Sequence, residues 1–150
     1  MLIFGWGNPG RGDDALGPAL IERIGAAQPR HPEWEPLTLL TDFQLQPEHA
    51  LDLDGHGRVL FVDASVSCAP PYVFDRLRPQ PGFGYTTHAM QPEALLAVFR
   101  QVIGREPPPA WLLTIRGHAF ELGQPICTAA QAHLAAAIAF VESFLAVEAG

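Results

Sequence analysis

The 150-residue chain lacks the features that mark several common classes of protein. Its two cysteines, Cys68 and Cys127, lie far apart and form no C-x-x-C pair, which indicates reduced thiols rather than a disulfide framework or a zinc ribbon. Lysine is absent, and nine arginines against 16 acidic residues give a net charge of −7. Because no basic cluster is available to contact phosphates, we do not expect nucleic acid as a partner.

Long hydrophobic runs are also scarce, although 48% of the residues are hydrophobic. The apolar residues fall in short runs rather than in stretches near the roughly 20 residues that a membrane-spanning helix needs, so we expect no membrane segment. The first residues enter a strand-like run without a basic leader, and we expect a cytoplasmic protein. The length is that of one domain, covering residues 1–150.

Short apolar strands alternate with helical patterns along the chain. The predicted strands are Leu2–Trp6, 37–41, 58–63, Tyr72–Leu77 and 111–115, and helices are predicted after Asp13 and Asp14, over Pro47–Leu53, from Pro92 and over Thr128–Val147. Alternation of this kind favours a three-layer α/β/α fold with a mostly parallel or mixed central sheet of about five strands. Residues 72–77 alternate apolar and polar side chains, as an edge strand does.

Carboxylate and imidazole side chains follow three of the apolar runs. Asp14 comes after the first strand and a glycine-rich loop, Asp63 ends the third strand, and His88 precedes a helix. In open α/β sheets, ligands bind beyond the carboxyl ends of the strands. Two carboxylates and an imidazole suit a borderline divalent ion such as nickel or zinc, with positions left for substrate or water.

Each of these residues also has a plainer interpretation. Asp13 or Asp14 would cap the first helix, Asp63 would accept hydrogen bonds from loop N–H groups, and His88 would be a polar loop residue. The spacing does not decide between these interpretations and a metal site.

Several segments resemble the hydrogenase maturation proteases. Residues 5–17, G-W-G-N-P-G-R-G-D-D-A-L-G, look like the N-terminal signature of this family. Residues 61–64, F-V-D-A, resemble its hydrophobic-V-D-A strand, and residues 86–88, T-T-H, resemble its segment that ends in histidine before a helix. Residues 120–123, F-E-L-G, sit where many members carry a similar loop. The similarity spans nearly the whole chain and implies a phosphorylase/hydrolase-like fold.

The resemblance implies an endopeptidase that removes the C-terminal extension of a nickel-iron hydrogenase large-subunit precursor after nickel insertion. Asp14, Asp63 and His88 match the family's metal-binding triad and would be its catalytic residues. The nickel would belong to the precursor, which is the expected partner, and no tightly held cofactor is expected. Nickel contact would also place the scissile carbonyl beside a Lewis acid or an activated water.

Other positions follow or depart from the family pattern. Asp13 would be a structural partner, and Gly7 and Asn8 would shape the loop. Members more often have glutamate at the position of Asp14, and this side chain reaches about 1.5 Å further. Residues 115–118, I-R-G-H, replace the usual G-I-x-P and give His118 no role. The segment 41–48 resembles proteases that serve soluble NAD-reducing hydrogenases, and its two glutamines would line a precursor groove.

Three other functions stay open at this point. A chaperone that holds the precursor or its nickel without cutting would use the same three ligands. The G-x-G-N-P-G pattern also opens peptidyl-tRNA hydrolases, although residues 11–14, R-G-D-D, replace their T-R-H-N stretch. A thiol mechanism would pair Cys68 with His88. A dinucleotide site fails on spacing, because Pro9 stands where the loop should enter a helix and no acidic residue ends the predicted second strand, with Asp42 the nearest candidate.

Overall fold

A computed structural model describes residues 1–81 and 90–148 of the chain. The strands are β1 (Leu2–Trp6), β2 (Thr38–Asp42), β3 (Val59–Ser65), β4 (Tyr72–Leu77) and β5 (Ala110–Arg116), and the α-helices are α1 (Leu16–Ala27), α2 (Pro92–Ile103) and α3 (Thr128–Glu148). Short 3₁₀ helices cover Gly12–Ala15, Gln28–Arg30 and Pro47–Leu53. Each predicted strand and helix is present, with ends that differ by one or two residues.

The five strands form one mixed sheet in the order β2-β1-β3-β5-β4. β1 pairs in parallel with both β2 and β3, and β3 pairs in parallel with β5. β4 is antiparallel to β5 and lies at the edge, as its alternating sequence predicts. The predicted α/β class with a mixed sheet of about five strands is therefore confirmed.

Two hydrophobic clusters, one on each face of the sheet, define three layers. Ile3 and Val62 point toward α1 and α3. Phe4 and Phe61, which alternate with them along the strands, point toward α2 and the 3₁₀ helix Pro47–Leu53. Because β1 and β3 are covered on both faces, they read as continuous apolar runs rather than as alternating ones.

Helix α3 corrects the expectation that no apolar stretch approaches membrane-spanning length. Residues Thr128–Val147 are long and apolar enough to cross a membrane by length and composition alone. Within the described residues this helix packs through Ala130, Leu134, Val141 and Leu145 against the face of the sheet that α1 also covers. The core helix of an α/β fold passes the same test, because one side of it must be apolar to pack on the sheet.

The start of α1 corrects the expectation that an aspartate caps it. A 3₁₀ turn over Gly12–Ala15 precedes the helix, and the N-cap position is Ala15, which makes no side-chain capping bond. Pro18 lies in the first turn, as predicted. Asp13 and Asp14 therefore point their carboxylates elsewhere, which bears directly on the candidate site.

Glycine allows α1 to lie close to two strands. A Cβ atom on Gly17 would be 2.6 Å from the carbonyl oxygen of Trp6 and 2.9 Å from that of Val62, so no larger residue fits without a shift of the backbone. This contact places the first turn of α1 over the carboxyl ends of β1 and β3.

Candidate functional site

The site lies where the sheet order reverses. From the central β1, the chain passes through α1 to β2 on one side and later returns to β3 on the other side. In open α/β sheets, a crevice forms at such a point beyond the carboxyl ends of the strands. Asp14 follows β1, and Asp63 lies on β3 one residue beyond Val62, the last residue that pairs with β1. The topology thus brings these two predicted residues to one crevice.

β3 extends further than the sequence indicates. The predicted strand stops at Asp63, whereas β3 continues to Ser65, because β5 pairs with it as far as the Ser65 and Arg116 pair. Asp63 is therefore a strand residue rather than the first residue of a loop. By alternation along β3, its side chain lies on the face that α2 covers.

Asp14 is fixed by the loop after β1. The backbone N–H of Asn8 donates to Oδ2 of Asp14 at 2.7 Å, and Oδ1 of Asn8 accepts the backbone N–H of Gly10 at 2.8 Å. Gly7 has φ +144°, and a Cβ atom there would be 1.9 Å from the carbonyl oxygen of Asp14. The G-x-G-N segment therefore holds one oxygen of the Asp14 carboxylate and packs against its backbone.

Asp13 points away from the crevice and is fully buried. Its Oδ2 accepts the backbone N–H groups of His118 at 2.7 Å and Ala119 at 2.9 Å. Its carboxylate also accepts the backbone N–H of Cys127 at 2.8 Å and the Cys127 thiol at 3.0 Å. Burial opposes ionisation of Asp13, but the thiol and backbone donors outweigh it and hold its pKa below the usual value. Asp13 thus ties the turn before α1 to both ends of the loop between β5 and α3.

Asp63 is a carboxyl group with a strongly shifted pKa. Burial is the main cause and the negative charge of Asp14 adds to it, while the N–H of Ala64, donating to Oδ1 at 2.8 Å, opposes both. Together they raise the pKa of Asp63 to about 7. The charge of Asp14 is the smallest of these contributions to the pKa of Asp63, in keeping with the position of both carboxylates at the same crevice. Such a pair favours a cation, which would neutralise both groups and displace the proton.

The third predicted ligand, His88, lies outside the described residues. The structure therefore places two members of the predicted triad, and the role of His88 stays a prediction. Among the described parts of the chain, no group of three or more histidine, cysteine, aspartate or glutamate residues is arranged to hold a metal ion.

An open cleft of about 330 Å³ adjoins the Asp14 loop, lined by Gly7, Pro9, Pro18, Thr41, Asp42 and Phe43. Phe43 is 64% exposed, which is unusual for a large aromatic side chain. Gln44 and Gln46, the groove residues predicted from the sequence, are not among the residues that line this cleft. Gln46 is the N-cap residue of the 3₁₀ helix Pro47–Leu53, and its place along a precursor groove stays a prediction. The sequence feature that could have identified Phe43 as a cleft residue is its position directly after β2, at the carboxyl edge of the sheet.

Asp42 corrects the argument about the second strand, because β2 does end on an acidic residue. Its carboxylate contacts Nε2 of His49 at 3.0 Å and accepts the backbone N–H of Phe43 at 2.7 Å. Nδ1 of His49 in turn accepts the N–H of Gln46 at 2.8 Å, so the proton of a neutral His49 lies on Nε2 and faces Asp42. These bonds position Asp42 at the wall of the cleft.

Both cysteines are free thiols, as predicted. The Cys68 sulfur lies 3.7 Å from the carbonyl oxygen of Thr114. The guanidinium group of Arg116 is a basic neighbour, but it donates to the Cys68 carbonyl oxygen at 2.9 Å rather than to the sulfur. The described contacts of Cys68 therefore give it no activating partner, and its pairing with His88 falls outside the described residues.

No protein-family model matches the chain, and no curated protein matches it either. Several solved structures, by contrast, match the chain over most of its length. The hydrogenase maturating endopeptidase HybD from E. coli superposes with a TM-score of 0.73 at 19% sequence identity, covering 98% of this chain and 92% of its own. The [NiFe] hydrogenase maturation protease HycI from Thermococcus kodakarensis KOD1 gives 0.71 at 18% identity, with 96% and 90% covered. A hydrogenase 2 maturation peptidase from Thaumarchaeota archaeon SCGC_AB-539-E09 gives 0.65 at 19% identity, with 96% of each chain covered. Over nearly its whole length, the chain has the fold of the hydrogenase maturation proteases.

Proposed function

We propose that the protein is an endopeptidase that removes the C-terminal extension of a nickel-iron hydrogenase large-subunit precursor after nickel insertion. The nickel belongs to the precursor and is part of the substrate, so the enzyme needs no tightly held cofactor of its own. Asp14, Asp63 and His88 recognise that nickel. The protein works in the cytoplasm, without a nucleic-acid or membrane partner.

The observation that carries this proposal is the pair of carboxylates at the topological switch point. Asp63 is half-buried, and its pKa is raised first by burial and then by the charge of Asp14. Carboxylates that repel each other are costly to the folded protein unless a cation reaches them. Proteins that share this fold over more than nine tenths of the chain include hydrogenase maturation proteases, which supports nickel in a precursor as that cation.

The ligand chemistry suits a borderline divalent ion. Two carboxylates and one imidazole supply oxygen and nitrogen donors, which nickel accepts, and they leave coordination positions for the precursor's own ligands. Oδ2 of Asp14 is already held by the N–H of Asn8, so this carboxylate needs little reordering when nickel arrives. Bound nickel supplies charge that polarises a nearby carbonyl group, and the three residues fix where that charge lies.

The cleft beside the Asp14 loop supports a protein substrate. It is open to solvent on the side of Phe43 and is walled by Pro9, Pro18 and Thr41, so it accepts an extended peptide segment more readily than a small enclosed ligand. A precursor segment bound there lies beside the Asp14 loop. Nickel contact and segment binding then act together, which limits cleavage to a nickel-loaded precursor.

The experiment incubates the purified protein with nickel-loaded and nickel-free precursor and follows the precursor by intact mass spectrometry. We expect the loss of one C-terminal peptide from the nickel-loaded form only. Asp63→Asn and His88→Ala should abolish processing, whereas the matched controls Asp75→Asn and His56→Ala should process at the wild-type rate. Circular dichroism checks that each variant is folded.

Three other outcomes would contradict the proposal in different ways. Binding of the precursor without cleavage indicates a chaperone that uses the same ligands. Cleavage of both precursor forms excludes nickel recognition. Loss of processing in Cys68→Ser, with retention in Asp63→Asn, indicates a thiol mechanism instead.

A further inference from the structure

Two histidines outside the proposed active site meet through their ring nitrogens. Nε2 of His118 lies 3.1 Å from Nε2 of His133, with ring centroids 5.3 Å apart and ring planes inclined by 43°. His118 follows β5 and His133 lies in the second turn of α3, so the two rings come from different elements. Neither residue belongs to the segments that resemble a known family.

We propose that His118 and His133 form a binding site for a borderline divalent transition-metal ion, such as Ni²⁺ or Zn²⁺. Imidazole nitrogen is a preferred ligand of these ions, with bonds of about 2.0–2.1 Å to zinc. Two nitrogens at that distance from one ion lie roughly 2.9 Å apart at a right angle and roughly 3.4 Å apart at the tetrahedral angle. The observed 3.1 Å falls between these values.

The close approach of the two Nε2 atoms requires a proton or a metal ion between them. Two lone pairs at this distance repel, so a proton on one Nε2 must lie between the nitrogens when no metal is bound. A metal ion takes the place of that proton, which passes through solvent to Nδ1 of the same ring, and the ion accepts the lone pairs of both Nε2 atoms. The two rings thus already face each other through their Nε2 atoms.

The backbone that carries His118 is held in place before any ion binds. Its N–H donates to the buried Asp13 carboxylate at 2.7 Å. A Cβ atom on the preceding Gly117 would be 2.6 Å from the ring of Phe120 and 3.0 Å from Cβ of Asp13, so the loop is tightly packed there. His133 is fixed by helix α3. Both ligands are therefore presented on ordered backbone, which limits the entropy lost on binding.

The ligand count indicates what kind of site this is. In the described part of the chain, no third histidine, cysteine, aspartate or glutamate joins the pair. Structural zinc sites use four protein ligands, whereas a two-nitrogen site leaves the remaining positions to water. His118 is exposed and His133 is partly exposed, so an ion reaches them from solvent. The site thus holds an exchangeable ion rather than one that supports the fold.

The test uses the full chain, freed of metal, and measures Ni²⁺ and Zn²⁺ binding by isothermal titration calorimetry. We expect His118→Ala, His133→Ala and the double variant to weaken one binding event about tenfold or more, with the double variant no worse than either single one, because the two ligands act as a unit. His56→Ala is the histidine control and should bind as the wild type does. Asp63→Asn should retain this binding event, which separates it from the proposed active site.

A second measurement tests whether both rings coordinate the same ion. In ¹⁵N spectra of the histidine side chains, one equivalent of Zn²⁺ should shift the Nε2 signals of His118 and His133 together. If neither signal moves, or if the double variant binds both ions as the wild type does, the contact is an imidazole hydrogen bond only and the proposal is wrong. None of these readouts depends on precursor processing.

Discussion

The backbone N–H of Asn8 donates to Oδ2 of Asp14 at 2.7 Å, and this single bond links the glycine-rich loop to the proposed nickel ligand. It requires the chain to turn sharply at Gly7, where φ is +144°. The G-x-G-N signature therefore has a mechanical explanation, because the second glycine lets the backbone approach Asp14 and the asparagine begins the turn that holds its carboxylate.

Gly7→Ala should destabilise the protein by at least about 2 kcal/mol, since the added Cβ meets the carbonyl oxygen of Asp14 and the residue must adopt a strained φ. Urea unfolding measures the effect. Gly57→Ala is the matched control, because a Cβ atom there meets nothing within 4 Å and its φ is not in the left-handed region. Equal stability of the two variants would mean that the loop relaxes freely and does not fix Asp14.

The sequence predicts the fold well because most of the features that indicate it lie within single strands and helices. Buried parallel strands such as β1 and β3 are continuous apolar runs, and Pro92 marks the start of α2 as a proline at a first helical turn does. The strand ends are less well predicted. β3 continues beyond Asp63 because residues of β5 pair with it. Pairing between segments that are distant in sequence cannot be predicted from the residue pattern of one segment.

The candidate site is predicted in part for the same reason. Asp14 and Asp63 follow from their positions at the ends of apolar runs, whereas the role of Asp13 depends on donors more than 100 residues away along the chain. A capping aspartate and an aspartate that binds a distant loop look alike in sequence. The His118 and His133 contact is likewise a product of the tertiary fold.

Asp13→Asn should destabilise the protein by about 3 kcal/mol at pH 7, because the neutral amide replaces a buried carboxylate that accepts hydrogen bonds from three backbone N–H groups and a thiol. Since the pKa of Asp13 is lowered in the folded state, its contribution is present above the pKa of the unfolded chain and is lost as pH falls. The difference between wild type and variant should therefore shrink in acid. Thermal unfolding across pH measures it.

The control for Asp13 is Cys127→Ser, which keeps a donor facing the same carboxylate oxygen. We expect this variant to unfold within about 1 kcal/mol of the wild type. A larger loss for Cys127→Ser than for Asp13→Asn would show that the thiol, and not the carboxylate, organises the loop.

Asp14→Glu should retain processing of the nickel-loaded precursor, whereas Asp14→Asn should reduce it by about 10- to 100-fold or more. Glutamate keeps the charge and an oxygen ligand and extends the reach by about 1.5 Å, while asparagine keeps the shape but removes the charge. Initial rates of C-terminal peptide release, measured by mass spectrometry, compare the variants. If asparagine and glutamate process equally well, Asp14 does not act as a charged ligand.

Asp63→Asn should make the folded protein more stable at pH 8 and leave its stability nearly unchanged at pH 4. The pKa of Asp63 is raised from 3.8 to about 7, so between these values the folded protein holds a proton that the unfolded chain has released. The contribution of Asp63 to the free energy of unfolding of the wild type is fully present below about pH 4 and is lost as pH rises through about 7. This rise in pKa corresponds to a loss of at most about 4 kcal/mol in the free energy of unfolding.

Asparagine resembles the protonated form and avoids this loss, so the gain from Asp63→Asn should grow with pH and level off above pH 7. Urea unfolding at pH 4, 6 and 8 measures the gain, with the exposed Asp75→Asn as a control that should show no such trend. Nickel-loaded precursor binds the ionised carboxylate in our proposal, and the same substitution must therefore stabilise the fold while it abolishes processing. A variant that loses stability at pH 8 would show that the ionised Asp63 stabilises the fold, which contradicts its proposed role as a ligand for a cation.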